Sequence, residues 1–353
     1  MIPIRPMRQE FDVSVVICTY NRAGMLAPAI EGVLNQKTDG VRYEFVVVDN
    51  NSSDQTRSVI DQFLRRGENI RYIFEPRQGI SYARNAGIAN TSAPIIAFTD
   101  DDVRVGADWA VKIKQAFDKY PDIDFLGGKV LPMWESEPPA WLTREHWSPL
   151  ALVDYGDSAF QIDRDRQLCL VAANLAVRRQ LFDRVGVFTP EFGRIGASSC
   201  EDHEFELRAF QSGAKGLYLP DLVIRAEVQN ERLTKAYHRK WHSGHGKSMA
   251  LLRAYELPET ESSGGAANEI DARLFDIPAY VYRDVAVNSL RMVKGILLRD
   301  ESGAFECEGK IRDAVNYIRE ISKKRTKPRR SAVLDVAVFA TTLAQKKLGR
   351  SKS

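Results

Sequence analysis

Three consecutive carboxylates follow a short apolar run in this chain, and this junction restricts the possible folds most. Residues 94–99 (PIIAFT) are too few for a helix and include β-branched and aromatic side chains, so they predict a buried strand. Asp100, Asp101 and Asp102 come next, and charges this close repel unless a cation, donors or solvent compensates them. Open α/β sheets bind ligands at strand carboxyl ends, so the junction favours a divalent metal carrying a phosphorylated ligand. A solvated acidic turn that caps the next helix is the structural alternative.

Apolar strand-like runs alternate with helix-like stretches through the first part of the chain. Besides residues 94–99, strands are predicted at 13–18, 43–48 and 70–74 and around Phe125. This alternation predicts an α/β fold with a mainly parallel, Rossmann-like sheet and helices on both faces. Thr19, Asp49 and the three aspartates then end on one rim of the sheet. No GxGxxG motif follows the first strand, which counts against a dinucleotide-dependent dehydrogenase.

Composition excludes several classes of protein. The formal net charge of the 353 residues is +3, so the charge balance does not call for nucleic acid as a partner. The four cysteines lie far apart and form no CxxC pair, which favours a reducing compartment. The sequence shows neither a signal-peptide pattern nor a run of about 18 apolar residues. We therefore expect a cytoplasmic protein.

The middle of the chain, residues 129–167, loses its periodicity and is rich in proline and tryptophan. Trp134 and Trp141 could stack on a sugar there, or they could only cover the core. Residues 168–177 predict another strand, and after a polar loop Glu201 and Asp202 open a helix. Acidic residues in a first helical turn are stabilised by the helix dipole, while the functional interpretation of the pair is a general base.

The C-terminal third predicts helices and one basic run. Residues 235–252 form a basic helix with three histidines, 258–271 form a linker, and two further helical segments follow. The basic run Lys323–Arg330 precedes an apolar helix, residues 332–344, that is too short to span a membrane. That pair predicts either a helix docked on the protein or one lying on an anionic membrane surface.

Several motifs occur together in a specific order, although each is weak alone. They are VSVVICTYNR at 13–22, FVVVDNNSSD at 45–54, GISYARNAG at 79–87, FTDDD at 98–102, Ala173-Asn174 with Arg178, and CEDHE at 200–204. In this order the chain resembles a family 2 glycosyltransferase of the GT-A fold, an inverting enzyme that uses a nucleotide sugar. The resemblance covers roughly residues 12–250. It implies a nucleotide-sugar-binding half at 11–128, an acceptor-binding half at 129–257, and a linker with a helical extension at 258–353.

The resemblance also implies roles for single residues. Asp202 would be the base for the acceptor, with Glu201 beside it, and Asp102 would bind a metal, Mg²⁺ or Mn²⁺. Asp49 would contact the base of the nucleotide and Asp100 the ribose. The donor-binding set is Thr19, Tyr20, Arg22, Asp49, Arg84, Asn85, Asp100 and Asp101, and the acceptor-binding set is Asn174, Trp134 and Trp141.

The implied reaction moves a sugar from a nucleoside diphosphate, with UDP favoured, to a hydroxyl of a glycan or lipid-linked acceptor in polysaccharide biosynthesis. Two departures from the family pattern stand out: Cys200 replaces a common glycine, and residues 222–230 lack a histidine. Metal ligation would then use Asp102 with water, Glu227, or His238 or His242 of the next helix, and the alternative is an enzyme that needs no metal. The alternatives are a sugar nucleotidyltransferase and a non-catalytic scaffold. Lys323–Arg330 would add a peripheral contact with the cytoplasmic face of a membrane.

Overall fold

The computed structural model describes residues 10–193, 200–253, 273–275 and 277–324. The chain divides into two compact units. Of the described residues, unit 1 comprises 10–138, 147–193 and 200–233, and unit 2 comprises 139–146, 234–253, 273–275 and 277–324. The predicted linker at 258–271, most of the basic run and the apolar segment 332–344 lie outside the described residues.

Unit 1 is built on one sheet of nine strands among its described residues. In chain order the strands are β1 Val13–Thr19, β2 Tyr43–Asp49, β3 Arg71–Phe74, β4 Ile95–Asp100, β5 Val103–Val105, β6 Phe125–Trp134, β7 Phe160–Ile162, β8 Leu175–Arg178 and β9 Gly216–Val228. Both β1 and β2 are almost completely buried, which explains why they read as continuous apolar runs.

The strands lie in the order β3-β2-β1-β4-β8-β6-β9-β5, and β7 pairs with β9. The neighbours from β3 to β4 are parallel, as predicted, and so are β6 and β9. An antiparallel strand, β8, separates β4 from β6. The predicted mainly parallel α/β sheet is confirmed, whereas a continuous parallel series through Phe125 is wrong. The predicted strand at 168–177 begins only at Leu175, because a 3₁₀ turn occupies Ala172–Asn174.

Six described helices accompany this sheet: α1 Ala23–Leu34, α2 Thr56–Arg65, α3 Ile80–Ala89, α4 Trp109–Lys119, α5 Arg179–Val185 and α6 Glu201–Gln211. Pro28 lies inside α1, beyond the first turn where proline fits a helix best. Gly87 allows α3 to approach β1, since a Cβ there would lie 2.5 Å from Cγ1 of Val16.

Unit 2 is helical, with α7 Lys235–Leu252, α8 Ala279–Leu298 and α9 Glu301–Lys324, and a short antiparallel pair, β10 Arg273–Leu274 and β11 Ile277–Pro278. Glycine permits α7 and α9 to pack closely, because a Cβ on Gly246 would lie 2.2 Å from the carbonyl oxygen of Asp313. No helix among the described residues is long and apolar enough to cross a membrane.

Candidate active site

Strands β1, β2 and β4 end next to one another and bring three predicted residues to one rim. Thr19 pairs with Asp49 in the β1–β2 ladder, and Cys18 pairs with Asp100 in the β1–β4 ladder. Thr19 and Asp49 are buried, whereas Tyr20, the next residue after β1, is 45% exposed. The parallel register therefore produces the convergence expected from the sequence.

Two loops of this rim are tied together by side chains that cap helices. Asn21 has a φ of 52°, and its side-chain oxygen accepts hydrogen bonds from the backbone N–H groups of Ser53 and Asp54. Asp54 accepts from the N–H of Ala23, at the start of α1, and from the N–H of Thr56, at the start of α2. The loop after β1 and the loop after β2 thus form one connected surface.

Asp49 is oriented by its own loop and by β3. Its carboxylate accepts a hydrogen bond from the backbone N–H of Ser52 at 2.9 Å and another from the hydroxyl of Tyr72 at 3.1 Å. Two donors of this kind hold the side chain in one orientation. The Asp49 side chain is therefore preorganised at the end of β2.

Arg22 lies against the acidic triplet. Its Nη1 is 2.5 Å from Oδ2 of Asp102 and 3.3 Å from Oδ1 of Asp101. A second guanidinium, that of Arg232, has Nη1 3.9 Å from the same Asp102 oxygen. Burial raises the pKa of Asp101 to about 7, and although Arg22 opposes this rise, Asp102 adds to it.

Arg84 connects the end of β4 to the start of α6. Its guanidinium is buried, with Nη1 2.5 Å from Oε1 of Glu201 and 2.7 Å from Oδ1 of Asp202. Its Nη2 lies 3.9 Å from Oδ1 of Asp100. One cation therefore holds the predicted ribose ligand and the predicted acid pair in a single site, although these groups are about a hundred residues apart in sequence.

The two acids of the pair differ in access to solvent. The Glu201 side chain is 3% exposed, and among the described residues its Oε2 has no hydrogen-bond partner. Burial, and next the neighbouring Asp202, raises the pKa of Glu201 to about 7. The Asp202 side chain is 17% exposed, and its Oδ2 accepts from the N–H of Ala172 at 3.0 Å. Of the two, Asp202 has the carboxylate that is more open to solvent.

One turn further along α6, a third acid anchors the same segment. Glu206 is fully buried, and both its oxygens accept from the backbone N–H of Leu170, at 2.9 and 3.1 Å. Burial raises the pKa of Glu206 well above its ordinary value. Because Asp202 and Glu206 bind Ala172 and Leu170, the start of α6 and the chain leading into β8 are locked together.

The carboxylates of this site are suited to a hard divalent cation that a bound ligand helps to coordinate. Five carboxylates (Asp100, Asp101, Asp102, Glu201 and Asp202) contact only three arginines (Arg22, Arg84 and Arg232) in these ion pairs, which leaves negative charge when all are ionised. Within the described residues, no group of three His, Cys, Asp or Glu side chains could hold a metal by itself. Mg²⁺ and Mn²⁺ sites commonly use one or two carboxylates, with phosphates and water as the other ligands.

Comparison with known proteins decides between the possible families. The family model described as glycosyl transferase family 2 matches residues 14–186, from β1 to the residue after α5. The chain carries a glycosyl transferase family 2 domain. This confirms the resemblance drawn from the motifs, most of which lie within the matched range.

One relative is the glucosyl-dolichyl phosphate glucuronosyltransferase of Haloferax volcanii, 27% identical over 195 residues. The match covers 54% of this chain and 60% of the relative, so the chain spans less than two thirds of that protein. The solved structure of a mannosyltransferase from Pyrobaculum calidifontis with GDP-Man and Mn²⁺ matches with a TM-score of 0.51 at 16% identity, covering 94% and 79% of the two chains. The solved structure of S. aureus TarS 1–349 with UDP matches with a TM-score of 0.50 at 18% identity, covering 89% of this chain and 90% of that one. These structures establish the GT-A fold.

Within this family 2 domain, the side chains of two predicted contact residues form hydrogen bonds with other parts of the protein. Asn85 donates to the carbonyl of Phe188 at 2.8 Å and accepts from its N–H at 3.0 Å, so its amide is turned toward the loop before α6. Asn174 is 1% exposed, accepts from the indole of Trp109 and donates to the carbonyls of Lys129 and Leu222. Asn174 is buried and uses both amide N–H groups on backbone carbonyls, so its predicted acceptor contact is corrected, while the predicted donor contact of Asn85 stays a prediction.

Other predicted contacts fall in different places. Trp134 is half-buried at the end of β6, and its acceptor contact stays a prediction. Trp141 belongs to unit 2, where it is 8% exposed in an aromatic cluster with His146, His238 and Phe305. The carboxylate of Glu227 pairs with Arg104, as that of Asp102 pairs with Arg22, and its role as a metal ligand stays a prediction.

The histidines of α7 are also engaged elsewhere. His238 is fully buried, and the Nδ1 atoms of His242 and His245 lie 2.8 and 3.2 Å from the carboxylate of Asp313. Among the described residues, His242 and His245 therefore already share a carboxylate partner.

Sequence reasoning missed three residues that shape the site. Asn50 donates to the carbonyl of Arg77 and accepts from the N–H of Gly79, so it fixes the loop that leads into α3. Arg232 approaches Asp102, and Glu206 anchors the segment beneath Asp202. Asn50 follows Asp49 directly at a strand end and could have been found by that position. The other two lie far from the motif residues they serve, and no local pattern indicates them.

Proposed function

We propose that this chain transfers a sugar from a nucleoside diphosphate, with UDP favoured, to a hydroxyl of a glycan or lipid-linked acceptor, inverting the anomeric centre. The observation that carries the proposal is the bridge made by Arg84 between Asp100 and the Glu201–Asp202 pair. It puts the predicted donor side and the predicted base into one site of unit 1. The family 2 domain supports the same class of reaction.

In this mechanism Asp202 acts as the general base. The acceptor oxygen bonds to the anomeric carbon and passes its proton to the Asp202 carboxylate, while the bond from that carbon to the diphosphate oxygen breaks and leaves its electron pair on the diphosphate. Arg84 and the N–H of Ala172 hold the two Asp202 oxygens at 2.7 and 3.0 Å. These contacts fix the orientation of the Asp202 carboxylate, which the transfer of a proton from the attacking hydroxyl requires.

On the donor side, Asp102 would hold Mg²⁺ or Mn²⁺, which when bound neutralises charge on the departing diphosphate. Asp49 would receive the nucleotide base and Asp100 the ribose, while Thr19 and Tyr20 line the same rim. Arg22 lies beside Asp101 and Asp102 and is the cation best placed to meet the diphosphate. The related mannosyltransferase was solved with GDP-Man and Mn²⁺ and TarS with UDP, which makes both nucleotides reasonable donors to test.

The proposed acceptor is a lipid-linked molecule or a glycan. The name of the Haloferax volcanii relative contains a dolichyl phosphate, which supports a lipid-linked acceptor for this chain. Trp134, near the end of β6, remains the aromatic side chain proposed to contact the acceptor. A site open to a long lipid-linked chain is consistent with a base that is only partly buried.

The experiment first screens UDP-, GDP- and dTDP-sugars by thermal shift with Mn²⁺, since a bound donor raises the melting temperature. The selected donor is then assayed for transfer to polyprenyl-phosphate-linked and free sugar acceptors, with and without EDTA. Asp202→Asn should lose transfer by about a thousandfold or more and keep donor affinity, whereas the exposed-site control Asp118→Asn should behave as wild type. Transfer by Asp202→Asn at the wild-type rate would reject the base assignment.

Binding of a nucleotide sugar with neither transfer nor hydrolysis would instead favour the non-catalytic scaffold. Formation of a nucleotide sugar from a sugar phosphate and a nucleoside triphosphate would favour the nucleotidyltransferase alternative. These outcomes distinguish a glycosyltransferase, a sugar nucleotidyltransferase and a non-catalytic scaffold.

A further inference from the structure

The second half of α8 exposes large apolar side chains. Among the described residues, the exposed fractions are 73% for Leu290, 52% for Val293, 62% for Ile296, 77% for Leu297 and 67% for Leu298. The other large apolar side chains with high exposure, such as Phe74 and Val187, are scattered singly over the chain. We call residues 290–299 the α8 surface. Contiguous apolar exposure of this kind marks an interaction site more often than single exposed residues do.

The orientation of this surface is fixed by the opposite side of the helix. Gly295 is buried, and a Cβ there would lie 3.1 Å from Cβ of Ala304 in α9. Leu297 lies roughly 200° around the helix from Gly295, on the side away from this contact. Rotation of α8 to bury its leucines would therefore break its packing on α9.

Basic side chains share the α8 surface with the apolar ones. Arg291, Lys294 and Arg299 are exposed, and no acidic residue occurs from 285 to 299. The flanking acids already have partners: Asp284 pairs with Arg283 at 3.0 Å, and Asp300 accepts from the N–H of Gly303 at 2.9 Å at the start of α9. The surface is therefore apolar and positively charged.

This charge decides between the kinds of partner. In a symmetric dimer through the same surface, each copy would bring its own three cations to the interface, where like charges repel. Anionic headgroups would neutralise the arginines and lysine while the leucines enter the boundary with the acyl chains. No described helix can span a bilayer, so α8 would lie in the plane of the surface.

We propose that the α8 surface binds an anionic lipid bilayer, with Leu290, Val293, Leu297 and Leu298 inserted and with Arg291, Lys294 and Arg299 at lipid phosphates. The proposal uses different residues from the basic run Lys323–Arg330 and does not depend on the transferase assignment. It would bring the protein to the membrane in which a lipid-linked acceptor resides.

The test is flotation of the full-length protein with vesicles of phosphatidylglycerol and phosphatidylcholine, compared with phosphatidylcholine alone. Leu290→Asn/Leu297→Asn should weaken binding to the anionic vesicles roughly tenfold or more, because two large apolar side chains are lost from the contact. Arg291→Gln/Lys294→Gln should weaken binding and reduce its salt dependence. The control Val187→Asn, at a solitary exposed apolar residue, should bind as wild type.

The oligomeric state of each variant is measured by analytical ultracentrifugation, and its affinity for the nucleotide sugar is measured as well. Both should equal the wild-type values. The proposal is overturned if the wild-type protein does not bind anionic vesicles. It is also overturned if the leucine double variant binds them as tightly as the wild type. A wild-type dimer that the leucine variant converts to monomer, without vesicle binding, would assign the surface to a second copy instead. If only neutralisation of Lys323–Arg330 abolishes vesicle binding, the membrane contact belongs to the basic run and not to the α8 surface.

Discussion

Nη1 of Arg22 lies 2.5 Å from Oδ2 of Asp102, the carboxylate for which we propose a metal. A divalent cation held by Asp102 would lie close to the Arg22 guanidinium, and the two positive charges would repel each other. The ion pair therefore predicts a measurable coupling between this side chain and metal affinity.

The first prediction concerns that coupling. Arg22→Gln should bind Mn²⁺ roughly three- to tenfold more tightly than wild type in the absence of nucleotide, because the repelling positive charge is gone. Electron paramagnetic resonance titration of free Mn²⁺ measures this without any turnover. Arg22→Lys, which keeps the charge, and Arg42→Gln, which removes an exposed pair with Asp12, serve as controls. Unchanged or weaker Mn²⁺ binding by Arg22→Gln contradicts the prediction.

The second prediction concerns the buried bridge. Arg84→Met should lower the free energy of unfolding by about 3–5 kcal/mol, because Glu201 and Asp202 then lose their shared buried cation. Urea unfolding followed by circular dichroism provides the measurement. Lys310→Met removes only an exposed pair with Glu306 and should cost less than about 1 kcal/mol.

The double variant Arg84→Met/Glu201→Leu tests the cause of that loss. It should recover part of the stability, since it removes the most buried of the unpaired acids. A loss below about 1 kcal/mol for Arg84→Met alone would mean that the bridge does not stabilise the fold.

The third prediction separates structural from acceptor roles for Asn174. Asn174→Ala should destabilise the fold by about 3 kcal/mol or more, because the buried Trp109 indole, the buried carbonyl of Leu222 and the partly buried carbonyl of Lys129 lose their hydrogen-bond partner. Asn90→Ala, which deletes an exposed bond to Ala86, should cost less than about 1 kcal/mol. If Asn174→Ala unfolds like wild type and raises only the KM for the acceptor, the structural assignment is wrong.

The fourth prediction is a dependence of stability on pH through Glu201. Its folded-state pKa of about 7 lies above that of an unfolded glutamate, so the folded chain holds this proton more tightly. The contribution of Glu201 to stability therefore falls as pH rises from about 4.5 to about 7 and stays constant above that. Glu201→Gln should reduce the stability difference between pH 5 and pH 8, whereas the exposed control Glu68→Gln should keep it. If Glu201→Gln shows the same dependence of stability on pH as the wild type, the raised pKa of Glu201 is refuted.

The rim of the sheet was predictable because parallel strands leave a strong signal in sequence. Apolar runs that end at Thr19, Asp49 and Asp100 specify strands, and alternation with helices specifies their common direction. The position of β8 between β4 and β6 was not predictable, since no local pattern tells an antiparallel insertion from a further parallel strand. Asn174 was misassigned for a related reason: an amide in a motif looks the same whether it faces a ligand or a backbone.

By itself, the sequence determined the mainly parallel α/β fold, the family, and the gathering of acids at strand ends, because periodicity, turn residues and motif order are local properties of the chain. Only the tertiary structure decided that Arg84 joins Asp100 to Glu201 and Asp202, that Arg22 pairs with Asp102, and that α8 turns its leucines outward. Those relations depend on how elements distant in sequence pack against one another, and each long-range contact is selected by the burial and charge of the whole fold.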